Sequence, residues 1–331
     1  MSKKIGMAVF GILVSVAALA WAAKGIEWGK LGAVLSGIPL WVPLAAITIY
    51  LLSFIPRAYR SQWMLAGTCA TPPSLSQAGD AQVMGYAANN LLPLRLGEFV
   101  RVFALRKLAG VPGLTGFASL LAERILDGAI VVLILGASVA WFAAHGTNFG
   151  KTAVEPVLYT GIALFAGAGL GLFILALVNQ WVVKLAERIL PPRLHEAVGS
   201  ILGALAFFRD SKRALGVIML STLVWLIEGA VFILIIASLG IENPWMPGLL
   251  MLSIVNLGVL LPSAPGYVGV FQACGILAFQ VIGLPKEQGL AASLLVHACQ
   301  FLPITALGII LASRHGWSLR SMAQSNPQSN L

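Results

Sequence analysis

Long apolar runs recur along most of this 331-residue chain, and they restrict its fold more than any motif does. Six are long enough to cross a bilayer, at about 5–23, 38–55, 115–143, 156–178, 214–239 and 288–313. About 18 or more apolar residues in a row span the hydrocarbon core as a helix. Only 10% of the residues are charged, against roughly 25% in soluble domains. The chain therefore reads as an all-α, multi-pass membrane protein. Its net charge of +9 is no nucleic-acid signature. The basic residues sit in short connections between apolar runs, where the positive-inside rule places them, and no soluble fold is there to carry a basic face.

Lys3 and Lys4 followed by the run from Ile5 to Ala23 imitate a secretory leader. The run exceeds the roughly 7–15 apolar residues of a leader, so it reads as the first span. Cys69, Cys274 and Cys299 have no CxxC partner and no histidine at ligand spacing. They read as small apolar residues, and neither a metal nor a cofactor is expected.

Two further apolar segments, about 74–108 and 247–284, are broken near their middles, at Leu91-Leu92-Pro93 and Leu260-Leu261-Pro262. The basic residues decide how to read them. Lys3, Lys4, Arg57, Arg60, the bases of the 179–213 loop (among them Lys184 and Arg193), Arg314 and Arg320 share one side under three conditions. Six helices cross, both termini are cytoplasmic, and each broken segment returns to the side it came from. Lys24 and Lys30 go weakly against this arrangement, whereas the 144–155 and 240–246 connections carry only Lys151. Each broken segment is therefore expected to be a re-entrant helical hairpin, which is tolerated at membrane depth only when buried in protein or lining a watery cavity.

The two breaks share the pattern LLPxxxG, at Leu91–Gly97 and Leu260–Gly266, and Ser119–Glu123 parallels Ser293–His297 downstream. Each half then reads helix, helix, hairpin, helix, and three crossings per half invert the second. The expected architecture is six transmembrane helices plus two re-entrant hairpins in an inverted-topology repeat. Residues 1–150 form the first repeat, 151–320 the second, and 321–331 a disordered cytoplasmic tail. Broken helices meeting near the midplane of inverted repeats are a recurrent plan of secondary transporters.

Charge within such a bundle costs at least about 2.5–3.5 kcal/mol at the bilayer centre, and usually faces a partner or a cavity. After Pro93 the chain restarts as a helix, which puts Arg95 near free N–H groups that attract anions. Arginine's planar fork suits phosphate. Gly97 permits close approach, Arg101 follows within two turns, and Asn89 and Asn90 supply further donors or acceptors. One reading is a phosphate-headgroup site built from Asn89, Asn90, Arg95, Glu98, Arg101 and Arg124. The other is structural, with Arg95 and Glu98 as an i,i+3 pair and Arg101, Arg106 and Lys107 marking the cytoplasmic boundary.

In Glu123-Arg124-Ile125-Leu126-Asp127, the two acids share a helix face and Arg124 reaches Asp127. One acid is left over, to pair with Arg95 or Arg101 or to take up a proton. Glu228 stands alone in its span, and His297 has Gln300 one turn on. Glu123, Asp127, Glu228 and His297 are thus candidates for proton coupling, against the alternative of a closed structural network. Pro93, Gly97, Pro262, Pro265, Gly266 and Gly269 are candidate hinges of the hairpins. No nucleophile with an adjacent base is present, and Glu123, Asp127 and His297 have no metal-ligand spacing, so the chain is not read as an enzyme.

Asn89–Arg101, Glu123–Asp127 and LLPSAPGYVGVFQ at 260–272 resemble the lysylphosphatidylglycerol synthase transmembrane family, also called flippase-like domain proteins, and the resemblance runs over roughly 5–313. It implies movement of an anionic phospholipid, or of a polyprenyl- or glycolipid, between leaflets of the bacterial cytoplasmic membrane. Bifunctional members carry a large soluble aminoacyl-transferase domain. This chain ends within about twenty residues of its last apolar run, and its longest loop falls below the roughly 50 residues of a domain, so lysyl transfer is not expected. Two alternatives stay open: an intramembrane enzyme of lipid or glycolipid synthesis, and a non-catalytic membrane partner of a glycosyltransferase. A homo-oligomer or a lipid-synthesis partner is compatible with all three.

Overall fold

The computed structural model describes residues 2–66, 71–147, 154–177, 205–261 and 263–317, with isolated positions between 181 and 203. The described chain is helical, with α1 Ser2–Ala23, α2 Trp28–Ser36, α3 Trp41–Leu52, α4 Phe54–Leu65, α5 Leu75–Leu91, α6 Gly97–Ala109, α7 Gly113–Ala144 and α8 Val154–Leu177 in the first part. Then follow α9 Ser211–Ser238, α10 Trp245–Gly258, α11 Val270–Gln280 and α12 Lys286–Arg314. Cys69, Lys151, Lys184, Arg193, Pro262, Arg320 and the expected tail 321–331 lie outside the described residues.

Each of the six expected spans falls on a helix. Among the described residues, four helices are long and apolar enough to cross a membrane: Trp41–Leu65, Gly113–Ala144, Ser211–Ser238 and Lys286–Arg314. They become five if Val9–Ala23 and Trp28–Ser36, bent by 90°, count as one. The second span corrects its expected limits. It does not stop near residue 55 but continues through α4 to Leu65, taking Arg57 and Arg60 inside with it. The stretch read as a 24–37 loop contains α2, whose Leu31 is buried against Ile276, Leu290 and Ala291.

Both broken segments fold as helical hairpins. In the first, Ser74 caps α5 by accepting from the Gln77 backbone N–H at 3.2 Å, while the Gln77 side chain accepts from the Ser74 N–H at 2.8 Å, a capping box. Gln77 also donates to the Leu108 carbonyl at 2.5 Å, closing the base of the hairpin. A short 3-10 turn, Pro93–Arg95, forms the tip, and Gly110, with φ of 69°, ends α6. The arms touch backbone to backbone. A Cβ on Gly97 would land on the Gly85 carbonyl and on Asn89, so only glycine fits there. In the second hairpin, α10 and α11 pack together and Pro265–Tyr267 forms the tip. Helix α1 braces that tip, with Ser15 Oγ accepting from the Ala264 N–H at 2.8 Å. Gly269, at φ of 91°, presses on the Ser15 carbonyl.

The largest core cluster runs through α3, α7, α9, α10, α11 and α12, centred on Phe232, Ile235, Ile236, Leu250, Met251 and Phe279. Packing across the halves is reciprocal. Helix α7, which follows the first hairpin, packs on α10 of the second, and α12, which follows the second, packs on α5 of the first.

Candidate functional site

The hairpin tips meet. Arg95 Nη2 donates to the Val259 carbonyl at 2.6 Å, and its guanidinium lies 5.5 Å from the centre of the Tyr267 ring. The Asn90 carbonyl abuts Gly266. Arg95 and Tyr267 both hold left-handed backbones, with φ of 54° and 61°. Such geometry costs about 1–3 kcal/mol for a non-glycine residue and persists only where the surroundings enforce it. Arg95 therefore sits in a 3-10 turn just before α6, and its side chain reaches the opposite hairpin. The Arg95–Glu98 pair of the structural alternative does not form: Arg95, with its left-handed backbone, reaches Val259, and Glu98 pairs with Arg124 instead.

Beneath the tips lies a cavity of about 310 Å³. Its lining is charged at Arg57, Arg95, Glu98, Arg124, Asp127 and Glu228. Tyr50, Tyr86, Trp225, Tyr267, Phe271 and Phe301 share the lining, and Tyr86, Trp225 and Tyr267 touch the charged groups directly. Asn89, Asn90, Asn256, His297 and Gln300 complete the lining.

Buried ion pairs underlie the charged lining, Arg57 with Glu228 as one pair and Arg60, Arg101, Arg124, Glu98, Glu123 and Asp127 as a linked cluster. Arg57, only 2% exposed, donates to Glu228 at 2.7 Å and to the Tyr86 hydroxyl at 2.5 Å. Arg60 is fully enclosed and binds Asp127 at 2.5 and 3.1 Å, Ser221 at 2.9 Å and Glu123 at 3.0 Å. Arg101 grips both oxygens of Glu123, at 2.7 and 2.8 Å. Arg124 sits between Glu98 at 3.4 Å, Glu123 at 3.5 Å and Asp127 at 3.8 Å. The Trp225 indole N–H donates to Asp127 at 3.1 Å, and Gln300 donates to Glu228 at 2.8 Å. Buried charges need such partners, since an isolated one would cost several kcal/mol.

The structure thus brings together Asn89, Asn90, Arg95, Glu98, Arg124, Asp127, Glu228 and His297 around one space. Arg101 and Glu123 lie behind the wall, each enclosed by its partners, and do not line the cavity. His297 stacks on Phe271, with ring centres 4.5 Å apart, and is 3.0 Å from Gln272, which in turn caps α11. Pro93 and Pro265 open the two tip turns, and Gly97, Gly266 and Gly269 occupy the close contacts around them.

Sequence reasoning missed Arg57 and Arg60, which read as loop charges at a membrane boundary. The signal was there. The leftover acid of Glu123–Asp127 and the unmatched Glu228 both called for arginines, and Arg57 and Arg60 lie three apart on one face of a helix. Tyr86, Trp225 and Tyr267 carried no such signal, because an aromatic residue in a membrane helix is ordinary.

Five arginines meet four carboxylates here, one positive charge in excess. Among the described residues, Arg95 is the cavity cation with no carboxylate within ion-pair distance.

Fold and site define a polytopic α-helical membrane protein whose two hairpins meet over a buried charged cavity. The chain belongs to the family described as the lysylphosphatidylglycerol synthase TM region, which matches residues 8–308. It is similar to the "Glycosyltransferase AglD" of Haloferax volcanii, at 24% identity over 88% of this chain and 51% of that protein. The chain thus spans about half the length of that relative. It is also similar to a UPF0104 membrane protein of Methanothermobacter thermautotrophicus, at 23% identity over 70% of this chain and 72% of that protein. A further relative is the UPF0104 membrane protein MJ1595 of Methanocaldococcus jannaschii, at 23% identity over 69% and 71%. No solved structure matches the chain.

Proposed function

We propose that the protein moves an anionic lipid between membrane leaflets, holding the headgroup at the hairpin tips while the tail stays in the bilayer. Six helices cross and two hairpins re-enter, in inverted repeat, with both termini on the cytoplasmic face of a bacterial cytoplasmic membrane. The reciprocal packing of α7 on α10 and α12 on α5 supports the repeat. One observation carries the functional reading. Arg95, the cavity cation without a carboxylate, holds the two tips together through a neutral carbonyl, Val259 O, at 2.6 Å.

An anionic oxygen binds a guanidinium more strongly than a neutral carbonyl does. A headgroup entering the cavity therefore takes Arg95 from Val259 and frees the tips to part. The left-handed backbones at Arg95 and Tyr267 relax on the same step. Arg124 and Arg57 steady the anion, and Asp127, Glu228 and His297 are the groups placed to exchange a proton with the cavity. Nothing in this scheme makes or breaks a covalent bond, so the protein acts as a transporter rather than an enzyme.

The test is leaflet exchange in liposomes holding the purified protein, with fluorescent phosphatidylglycerol and a neutral lipid followed by dithionite quenching. Selective exchange of the anionic lipid, lost in Arg95→Ala, is expected. Its absence in protein shown to be folded would overturn the reading. The half-length match to a protein named as a glycosyltransferase favours a second reading, a membrane partner in glycolipid synthesis. Activity that returns only when a glycosyltransferase is added would select it.

A further inference from the structure

We infer that His297 Nδ1 is a proton-binding site that governs the second hairpin tip: a proton taken up there breaks the Gln272 cap on α11 and releases the tip. This rests on the reading above, in which the tips part, and supplies the step at the second one. A chain of three groups carries the argument, because its donors and acceptors are fixed. The Gly269 backbone N–H can only donate, and it donates to Gln272 Oε1 at 2.8 Å. The Gln272 amide nitrogen therefore points the other way, 3.0 Å from His297 Nδ1. Both N–H groups of that amide are donors, so Nδ1 must accept with its lone pair. His297 is thus neutral in this arrangement, with its proton on Nε2. The ring's other hydrogen-bond partner is the Gly266 backbone, within the tip itself.

A second proton on the ring has no place in this chain. On Nδ1 it faces the Gln272 amide N–H, donor against donor. Turning the amide over satisfies His297 but sets the same conflict against the Gly269 N–H. Either way a hydrogen bond at the start of α11 is lost, and Gln272, at 4% exposed, has little water at hand to replace it. The bond at stake fixes Gly269, whose φ of 91° leads the tip into α11 against the Ser15 carbonyl. The second brace of this tip, the Ala264 N–H on Ser15 Oγ, contains no titratable group.

His297 is half-buried and lines the cavity, so protons reach it from there. Among the described residues no carboxylate pairs with it. Glu228 on α9 is held by Arg57 and Gln300, Asp127 on α7 by Arg60, and Glu98 on α6 by Arg124. The remaining charged groups of the lining, Arg57, Arg95 and Arg124, have the same sign as a protonated ring. Tyr50, Tyr86 and Tyr267 share the space as neutral phenols. No acid is there to hold the charged ring, so the response falls on Gln272, a positioning residue for the tip.

The test follows hydrogen exchange of the 265–275 segment by mass spectrometry, with the full chain in nanodiscs of neutral lipid. The pH runs from about 8 to about 4.5, either side of the ordinary imidazole value near 6.5. The neutral ring makes the cap and the charged ring breaks it, so loosening comes as the pH falls. Corrected for the intrinsic rate, exchange is expected to rise about three- to tenfold, the worth of one hydrogen bond. Two variants separate a switch from a structural part. His297→Phe keeps an aromatic ring against Phe271 and removes the proton site, so the segment exchanges alike at every pH. Gln272→Glu keeps an oxygen on the Gly269 N–H and offers the other to a protonated Nδ1. Acidification through the imidazole range then no longer loosens the segment.

Wild-type exchange that ignores pH overturns the inference. So does a rise that survives in His297→Phe, or one that is undiminished in Gln272→Glu. No lipid substrate enters this measurement. An intact pH response without leaflet exchange would refute the transport reading alone, and leaflet exchange without the pH response would refute this inference alone.

Discussion

Replacing Arg60 with leucine removes the most enclosed member of the buried network, and the structure says where the cost falls. Glu123 keeps its two-oxygen grip from Arg101, at 2.7 and 2.8 Å. Asp127 loses hydrogen bonds of 2.5 and 3.1 Å and is left with the Trp225 indole at 3.1 Å and Arg124 at 3.8 Å. Stranding one partner of a buried pair costs about 3–5 kcal/mol, so Arg60→Leu is expected to lose that much stability, chiefly at Asp127. Adding Asp127→Asn removes the stranded charge and should return about 1–3 kcal/mol, the range of coupling between directly interacting residues. Asp127→Asn by itself is the milder change, because Arg60 still faces Glu123 at 3.0 Å. Equilibrium unfolding in mixed micelles, followed by circular dichroism, measures all three variants. A loss below about 1 kcal/mol for Arg60→Leu, or single losses that add to within about 0.5 kcal/mol in the double variant, would refute the reasoning.

Arg95→Gly should separate stability from function. Glycine relieves the left-handed backbone at φ of 54°, which offsets the lost bond to Val259. Unfolding is expected to shift by no more than about 1 kcal/mol, while leaflet exchange is lost; retained exchange would contradict the role of Arg95. Gly97→Ala puts a methyl group onto the Gly85 carbonyl and Asn89 and should cost at least about 1–3 kcal/mol with a lower folded yield; wild-type unfolding would show that the hairpin arms have room. Phe165 lines the cavity and its ring fills the notch at Gly128 on α7. Phe165→Ala opens that side, and leaflet exchange should rise severalfold at unchanged lipid preference; an unchanged or slower rate would place the lipid's path elsewhere.

The helices were legible because an apolar run of spanning length has few alternatives in a membrane. The hairpins were legible because Pro93 and the Pro262–Pro265 pair break such runs where no loop charge explains the break. Arg57 and Arg60 were misread for a physical reason. The positive-inside rule counts bases by their place along the chain, while their acids, Asp127 and Glu228, lie 67 and 171 positions away and meet them only in three dimensions. The Arg95–Glu98 pair was the natural i,i+3 reading of a regular helix, and the left-handed backbone at Arg95 defeated it. Sequence grouped Asn89, Arg95 and Arg124 in one candidate site, without saying that Asp127, Glu228 and His297 would line the same cavity. The tip contact that gathers them, Arg95 to Val259 and Tyr267, depends on backbone geometry at both hairpins and leaves no local pattern.

That contact is where the mechanism is most exposed to test. Spin labels at Phe99 on α6 and Leu261 at the second tip, positions 49% and 59% exposed, report the distance between the hairpins by pulsed electron resonance. Adding phosphatidylglycerol to protein in a neutral bilayer is expected to bring up a second, longer distance, and Arg95→Gly should show that longer distance without the lipid. One unchanged distance with and without anionic lipid, and in the variant, would contradict a transport step that begins when a headgroup takes Arg95 from Val259.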